Sequence, residues 1–369
     1  MLAAFATFVG VDLHKCTVSL AAVNARGELI DRLTVSTKCT DRIEAWLRAL
    51  PGPVHLAVET NGFIEWFIDR FRPCVARLDI ADARLLANLR GKRRKNDRND
   101  ALDFAQRLAR GECPLGYIAD EQVVRLRKLG RHWRRLSRTL SKAKHGMKSI
   151  LNAANLRGPK LDGGSAQKWL LAHGQNLKAE DRQAFADLLD VVQLIERQRA
   201  VLRMKIIELN RHERFAGGMA ILQSVPGIAE VWGCIIAAEV GDFKRFPHAD
   251  ALEFWAGITP DNKESAGRTT SGHITKAGSP TLRWALCNAA LCLCRSDGRQ
   301  EKTRQRLIQR IGKPRANVAM GRRLLRILYA MMRDGATYQI GEATHHTAKA
   351  NKIRLDGKRR DVPPGRKAA

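Results

Sequence analysis

Residues Thr7–Leu13 read T-F-V-G-V-D-L. The run has the apolar, β-branched make-up of a strand buried on both faces, with one acid, Asp12, near its end. A buried carboxylate is costly unless it is paired, hydrogen-bonded or bound to a metal. Asp12 therefore calls for a partner. The stretches that follow read as more of the same sheet. Thr17–Val23 is a second strand, Asn24–Gly27 a turn and Glu28–Ser36 a third strand. Asp41 suits the cap of a short helix reaching Leu50. Val54–Val58 is a fourth strand that ends at Glu59, Gly62–Phe71 a helix and Cys74–Ile80 a fifth strand. Helices over Ala83–Leu89 and Arg98–Arg110 complete the segment. Three consecutive strands followed by strand–helix alternation predict a mixed sheet with helices packed on it. If the first and fourth strands are neighbours, Asp12 and Glu59 lie at one edge.

Between the last two helices stands R-G-K-R-R-K-N-D-R-N-D-A (90–101). Asp97 and Asp100 are three positions apart, which puts both on one face of a helix. They can open that helix as favourable first-turn acids. With Asp12 and Glu59 they can also form a set of four carboxylates. Four oxygen donors suit Mg2+ or Mn2+ rather than zinc, and such ions assist phosphodiester cleavage. The preceding Lys92, Arg93, Arg94 and Lys95 read as phosphate contacts.

The chain of 369 residues carries a formal net charge of +28. That charge is concentrated. Residues 90–148 hold eighteen Lys/Arg against six Asp/Glu, and residues 299–369 hold nineteen against five. Residues 1–89 balance at ten against ten, and 149–298 nearly balance at eighteen against sixteen. Two basic surfaces flanking near-neutral domains point to nucleic acid as partner. The eight cysteines are scattered with no C-x-x-C pair. No apolar run is long enough to span a bilayer and no secretory signal is evident, so a cytoplasmic location away from membranes is expected.

G-V-D-L-H-K (10–15), A-V-E-T-N-G (57–62) and K-N-D-R-N-D-A (95–101) resemble the three acidic motifs of the DEDD transposases of bacterial insertion sequences. The resemblance implies an RNase H-like domain similar to Holliday-junction resolvases, with Asp12, Glu59, Asp97 and Asp100 as catalytic metal ligands. It also implies donor and target DNA, a guiding non-coding RNA made by the element, and a composite site in a tetramer; a homo-oligomer, dimer or tetramer, is expected.

Beyond residue 112 the pattern turns helical. Leu126, Leu129, Trp133, Leu136, Leu140, Ala143, Met147 and Ile150 alternate by three and four, and Leu188, Val192, Ile195, Leu202, Ile206 and Leu209 form a second seam, interrupted by Arg199. The two seams fit an antiparallel pair within the chain or a coiled coil between chains. Cations that include Arg131, Arg134, Arg135 and Arg138 cover the other faces of the first seam, as in a helix lying along nucleic acid. I-L-Q-S-V-P-G-I-A (221–229) reads as helix–turn–helix. Its Gly227 would let the backbone approach either a DNA phosphate or another helix.

The segment 261–278, D-N-K-E-S-A-G-R-T-T-S-G-H-I-T-K-A-G, reads as a polar loop between helical blocks. It is similar to the serine region of the same family, which makes Ser265 the counterpart of the proposed nucleophile and Ser271 the fallback. Ala266 stands where the family usually has glycine. Arg268 and Lys276 are cations beside it. Residues 341–369 have the composition of a disordered basic tail.

The fold expected is α/β plus α. An RNase H-like mixed-sheet domain spans 1–112, a basic helical coiled-coil segment 113–213, a mainly helical domain 214–335 and a basic tail 336–369. The function expected is transposase or site-specific recombinase. A metal-dependent junction endonuclease, a DNA invertase without guide RNA and a non-enzymatic nucleic-acid-binding protein are the alternatives.

Overall fold

The computed structural model of the chain describes residues 5–60, 62, 64–81, 86, 97–265 and 268–340, with backbone alone at 97–99, 262–265 and 268–272. The expected helix over Ala83–Leu89 (apart from Leu86), the cations Lys92, Arg93, Arg94 and Lys95, and the tail from 341 lie outside the described residues. Contacts divide the chain into two units, Met1–Ala119 and Asp120–Ala369.

In the first unit six strands form one sheet in the order β3-β2-β1-β4-β5-β6. They are β1 (Thr7–Leu13), β2 (Thr17–Val23), β3 (Leu29–Ser36), β4 (Val54–Glu59), β5 (Arg77–Ala81) and β6 (Leu115–Gly116). β1 pairs antiparallel with β2 and parallel with β4, and β4 pairs parallel with β5. This mixed sheet is the one the strand spacing predicts, and its order is consistent with an RNase H-like fold. Helices α1 (Thr40–Ala49) and α2 (Ile64–Phe71) and a 3-10 turn at Arg72–Cys74 complete the first half. Two details differ from the sequence reading. Asp41 sits in the first turn of α1, whose cap position is Cys39. The fifth strand begins at Arg77, because Pro73 holds residues 72–74 in a 3-10 turn.

The sheet has two covered faces, and parity along β1 sorts its side chains between them. Val9, Val11 and Leu13 pack into the cluster that includes Ile43, Leu47, Phe67 and Phe71 of α1 and α2. Phe8 packs instead with Ala57, Ala81 and the helix α3 (Asp97–Ala109), through Ala101, Phe104, Ala105 and Leu108. Helix α3 comes so close to β1 that side chains are almost excluded between them. A methyl group placed on Gly10 would lie 2.4 Å from the Ala101 carbonyl oxygen and 2.5 Å from the Ala105 nitrogen. Farther along, the Gln106 amide donates to the Gly27 carbonyl at 3.1 Å. Gly27 closes the β2–β3 turn, beyond the β2 residue Val23 that pairs with Phe8. Helix α3 thus runs antiparallel to β1, with its first turn toward the Asp12 end.

The second unit is built on two long helices, α4 (Glu121–Ala153) and α6 (Ala179–Asn210), with α5 (Gly163–His173) between them. Gly146 faces Leu188, Lys144 binds Glu196 at 3.0 Å, and Arg199 lies 4.3 Å over the Trp133 ring. Positions fall along α4 as they rise along α6, so the two seams meet antiparallel within the chain. They are not an isolated coiled coil. Ala166 of α5 joins their core, and Gly130 of α4 faces Ile235 of a later helix. Arg199, which breaks the second seam, finds an aromatic ring instead of an acid. Burial lowers its pKa.

Helices α7 (Glu213–Gln223), α8 (Glu230–Val240) and α9 (Ala249–Ala256) follow, then the hairpin β7 (Pro260–Ser265) and β8 (Arg268–Ile274). Helices α10 (Pro280–Ser296), α11 (Gly298–Ile311) and α12 (Lys313–Asp334) end the unit. Gly227, at φ +94°, turns its Cα onto α10, where a methyl group would be 2.4 Å from Cys292 Cβ. The close approach at the helix–turn–helix therefore serves packing within the protein. Among the described residues no helix is long and apolar enough to cross a membrane.

Gly10→Ala is expected to force α3 off the sheet and to destabilise the protein by about 1–3 kcal/mol, as overpacking does. A shift of the denaturant midpoint at unchanged slope measures it. An unshifted midpoint would mean that α3 moves freely.

Candidate functional site

Asp12 and Glu59 occupy matching places on neighbouring strands. The last β1–β4 pair is Val11 with Val58, so each acid is the next residue beyond it at the carboxyl end of its strand. Asp12 pairs with Ser19 of β2, and Glu59 with Ala81 of β5. Both share the parity of Phe8, Gly10 and Ala57, which is the face that α3 covers. Asp12 is mostly buried, and His14 Nε2 stands 3.3 Å from its carboxylate. His14 was not singled out by its sequence context, although two-residue spacing past a strand end places it beside Asp12.

Asp97 is the first residue of α3, and Asp100 lies in its first turn. They precede Ala101 and Phe104, the residues that touch the sheet, by one helical turn each. Antiparallel docking carries that first turn toward the Asp12 end of β1. The fold thus brings Asp12 and Glu59 together at one edge and directs the start of α3 to that edge. The Asp97 side chain lies outside the described atoms. Among the described residues, no group of three or more His, Cys, Asp or Glu is positioned to hold a metal. The donor set at the edge, carboxylate oxygens, nonetheless has the chemistry a hard divalent cation takes.

A second polar cluster lies deeper on the same face. His55 of β4 is buried, and its Nε2 is 2.8 Å from Asp79 of β5, which also accepts from Arg77 Nε at 2.7 Å. Burial alone would raise the Asp79 pKa, but the hydrogen bonds from His55 and Arg77 outweigh it and hold the carboxyl below its ordinary value. Phe5 and Phe8 pack against the His55 ring, at the end of the sheet away from Asp12.

In the second unit the segment 261–278, expected as a loop, is mostly an antiparallel hairpin. Ser265 ends β7 at the hairpin tip opposite Arg268, and Ser271 pairs with Asn262 along β8. The side chains of Ser265, Ser271 and Arg268 are outside the described atoms. The hairpin base is fixed by backbone. Gly257, at φ +65°, faces the Ala277 and Gly278 nitrogens, and a methyl group on Gly278 would strike the Trp255 carbonyl. Thr275 N donates to Thr259 O at 3.0 Å and Lys276 N to Gly257 O at 3.1 Å. The Arg283 guanidinium donates to Ala256 O at 3.1 Å and Gly278 O at 2.7 Å, tying both sides together. Lys276 is exposed with φ +54°.

The cations of α4 do not all face outward as the sequence reading has them. Arg135 and Arg138 are exposed. Arg131 makes a two-pronged pair with the buried Glu239 of α8, at 2.8 and 3.1 Å. Arg134 turns toward α10, with Nη1 3.5 Å from Thr281 Oγ1. Glu253 of α9 is fully buried and receives Arg322 and Arg326 of α12. Asp297, also buried, accepts from Arg299 and from Tyr338.

Two family models match the chain over separate stretches. One, described as Transposase, of the DEDD IS110 type, covers residues 9–155 and so takes in the acidic edge. The other, described as Transposase IS116/IS110/IS902 family, covers residues 219–306 and takes in the hairpin. The chain belongs to this DEDD transposase family. Among its relatives, a putative transposase of Sinorhizobium fredii is 26% identical over 149 residues, 39% of this chain and 38% of the relative. A transposase for the insertion sequence element IS1111A of Coxiella burnetii is 28% identical over 124 residues, 32% of this chain and 34% of the relative. An insertion element IS110 protein of Streptomyces coelicolor is 29% identical over 121 residues, 32% of this chain and 30% of the relative. The chain spans about a third of the length of these curated relatives.

Asp79 gives an acid-side test of the buried cluster. Its folded pKa is depressed, so its stabilising contribution is present above the unfolded value of about 3.9 and is lost as pH falls through the folded value. Asp79→Asn should lower Tm near pH 6, and the gap from the parent protein should close toward pH 3. A gap constant with pH would remove the carboxylate from the explanation.

Proposed function

We propose that the chain is a transposase that cleaves and rejoins DNA strands of an insertion sequence. Asp12, Glu59, Asp97 and Asp100 form its metal-binding edge and Ser265 its nucleophile. The observation that carries the reading is the pairing of Asp12 and Glu59 at adjacent strand ends, on the face where α3 begins with Asp97 and Asp100. Match of the two family models to this edge and to the serine hairpin supports it.

In this reading the carboxylates hold Mg2+ or Mn2+. Bound there, the cation would polarise a phosphodiester and favour its attack. The chain's own groups supply the rest. The Ser265 hydroxyl oxygen forms a bond to phosphorus, the bond from phosphorus to a deoxyribose oxygen breaks, and the hydroxyl proton ends on the departing oxygen. The serine–phosphate ester conserves the energy of the broken linkage. Attack by a hydroxyl of the partner strand then rebuilds a phosphodiester and returns the proton to Ser265. Arg135, Arg138, Arg268 and Lys276 contact backbone phosphates, joined by Lys92, Arg93, Arg94 and Lys95. Donor and target DNA, an element-encoded guide RNA and an assembly of two or four copies belong to the same proposal.

Asp12→Asn and Glu59→Gln should each lower Mg2+-dependent strand cleavage by at least about a hundredfold, in the range seen for lost electrostatic stabilisation. Ser265→Ala should abolish the covalent protein–DNA adduct trapped in Mn2+, while Ser271→Ala retains it. Full cleavage by Ser265→Ala without rejoining would turn the reading to a junction endonuclease. Full recombination by both serine variants would end the serine mechanism. Recombination by protein and DNA alone would remove the guide RNA.

A further inference from the structure

The turned-in Arg134 belongs to a group of cations that outnumbers the acids described beside it. Arg134 and Arg138 stand one turn apart on α4, and Thr281, which Arg134 reaches, lies two residues from Arg283 on α10. The Nε of Arg134 is buried and donates to nothing among the described residues. Its one described contact is the long one to Thr281, although a guanidinium carries five donor hydrogens. Glu239, the acid of this region, is already taken by both prongs of Arg131. Burial first and then the Arg138 charge lower the Arg134 pKa against a smaller upward pull from Glu239, and burial and then Arg134 lower that of Arg283. Like charges gathered where water is partly excluded repel one another, and an anion among them relieves the cost.

The geometry points to a phosphate site formed by Arg134, Arg138 and Arg283, which holds one phosphodiester of a DNA strand at the base of the hairpin. Arg283 places it there. Its guanidinium also grips the Ala256 and Gly278 carbonyls, so the site and the hairpin share one fixed support. A guanidinium fork suits a phosphate's paired oxygens, and two helices supply the arms. The strand contacted would pass the hairpin that ends in Ser265. This function rests on the transposase reading, but the phosphate site itself does not.

The full-length protein is melted in rising inorganic phosphate at constant ionic strength, with chloride as the balancing anion. A saturable rise in Tm is expected. Arg134→Gln and Arg138→Gln should each weaken the apparent phosphate affinity about fivefold or more, as the loss of a charge-assisted contact does. Arg125→Gln, an exposed change elsewhere on α4, should not. Arg134→Gln should also melt no lower than the parent in chloride alone, because it removes repulsion; a purely structural arginine would give a lower Tm. Arg138→Gln, at an exposed position, keeps the test open should Arg134→Gln misfold. Absence of a saturable rise in the parent, or an equal rise in all variants, overturns the site. In a second arm, a single-stranded DNA oligonucleotide should bind Arg134→Gln about fivefold more weakly at low salt and Arg125→Gln nearly normally. Phosphate binding that is sensitive to Arg134 with DNA binding that is not would overturn the assignment to a DNA strand. Because the phosphate arm needs no DNA and no reaction, it is read independently of transposase activity.

Discussion

The approach of α3 to Gly10 is the contact on which the first unit depends. With the Ala101 oxygen and the Ala105 nitrogen where a β-carbon would sit, the helix lies against β1 at backbone range. That distance lets Phe8, Ala57, Phe104 and Leu108 close one core. It also sets where α3 begins relative to the sheet, and so where Asp97 and Asp100 enter. A larger residue at position 10 would alter the acidic edge without touching an acid. The opposite face, filled by α1 and α2, has no such constraint and is packed by ordinary apolar side chains.

In the second unit the comparable role falls to buried carboxylates. Glu239 and Glu253 anchor arginines from a distant part of the chain, and Asp297 holds its neighbour Arg299 together with the distant Tyr338. Removing an arginine would leave a buried carboxylate short of its partner, which usually costs several kcal/mol, whereas the arginines themselves are about half exposed. Part of the positive charge that suggests nucleic acid is therefore spent inside the fold. What remains at the surface of α4 is still one-signed, since no acid occurs between Gln122 and Leu161.

Much of the first unit was legible because its signals are local. The run T-F-V-G-V-D-L, the N-A-R-G turn and the acid after H-L-A-V are readable from neighbours alone, and β1, β2 and β4 fall where those signals put them. Less was legible where tertiary partners decide. Strand β6 is two residues long and exists through its pairing with Ile80 and Ala81. Helix α11 is so cationic that it reads as surface charge, although Gln300 within it is buried. The hairpin of 260–274 has a polar sequence without a buried alternation, and its ends are joined by Gly257 and Gly278, twenty-one positions apart. The pairing of Arg131 with buried Glu239 joins residues more than a hundred positions apart, which no local signal shows. Gly10 carried a readable clue that single-strand periodicity does not use: a glycine in a buried strand opposite a helix with alanines four apart, Ala101 and Ala105.

The backbone clasp between Gly257 and Gly278 has an evolutionary consequence. Since the base of the hairpin is secured by glycine packing, carbonyl contacts and Arg283, the residues at its far end contribute little to holding the domain together. Such a finger can lengthen, shorten or change composition while the body beneath it stays the same. Insertions and divergence should therefore accumulate between 262 and 272 around Ser265 and Arg268, which the proposed reaction holds fixed, and the glycines on either side should resist replacement. The arrangement separates what the domain must keep in order to fold from what it is free to vary in order to act on a new partner.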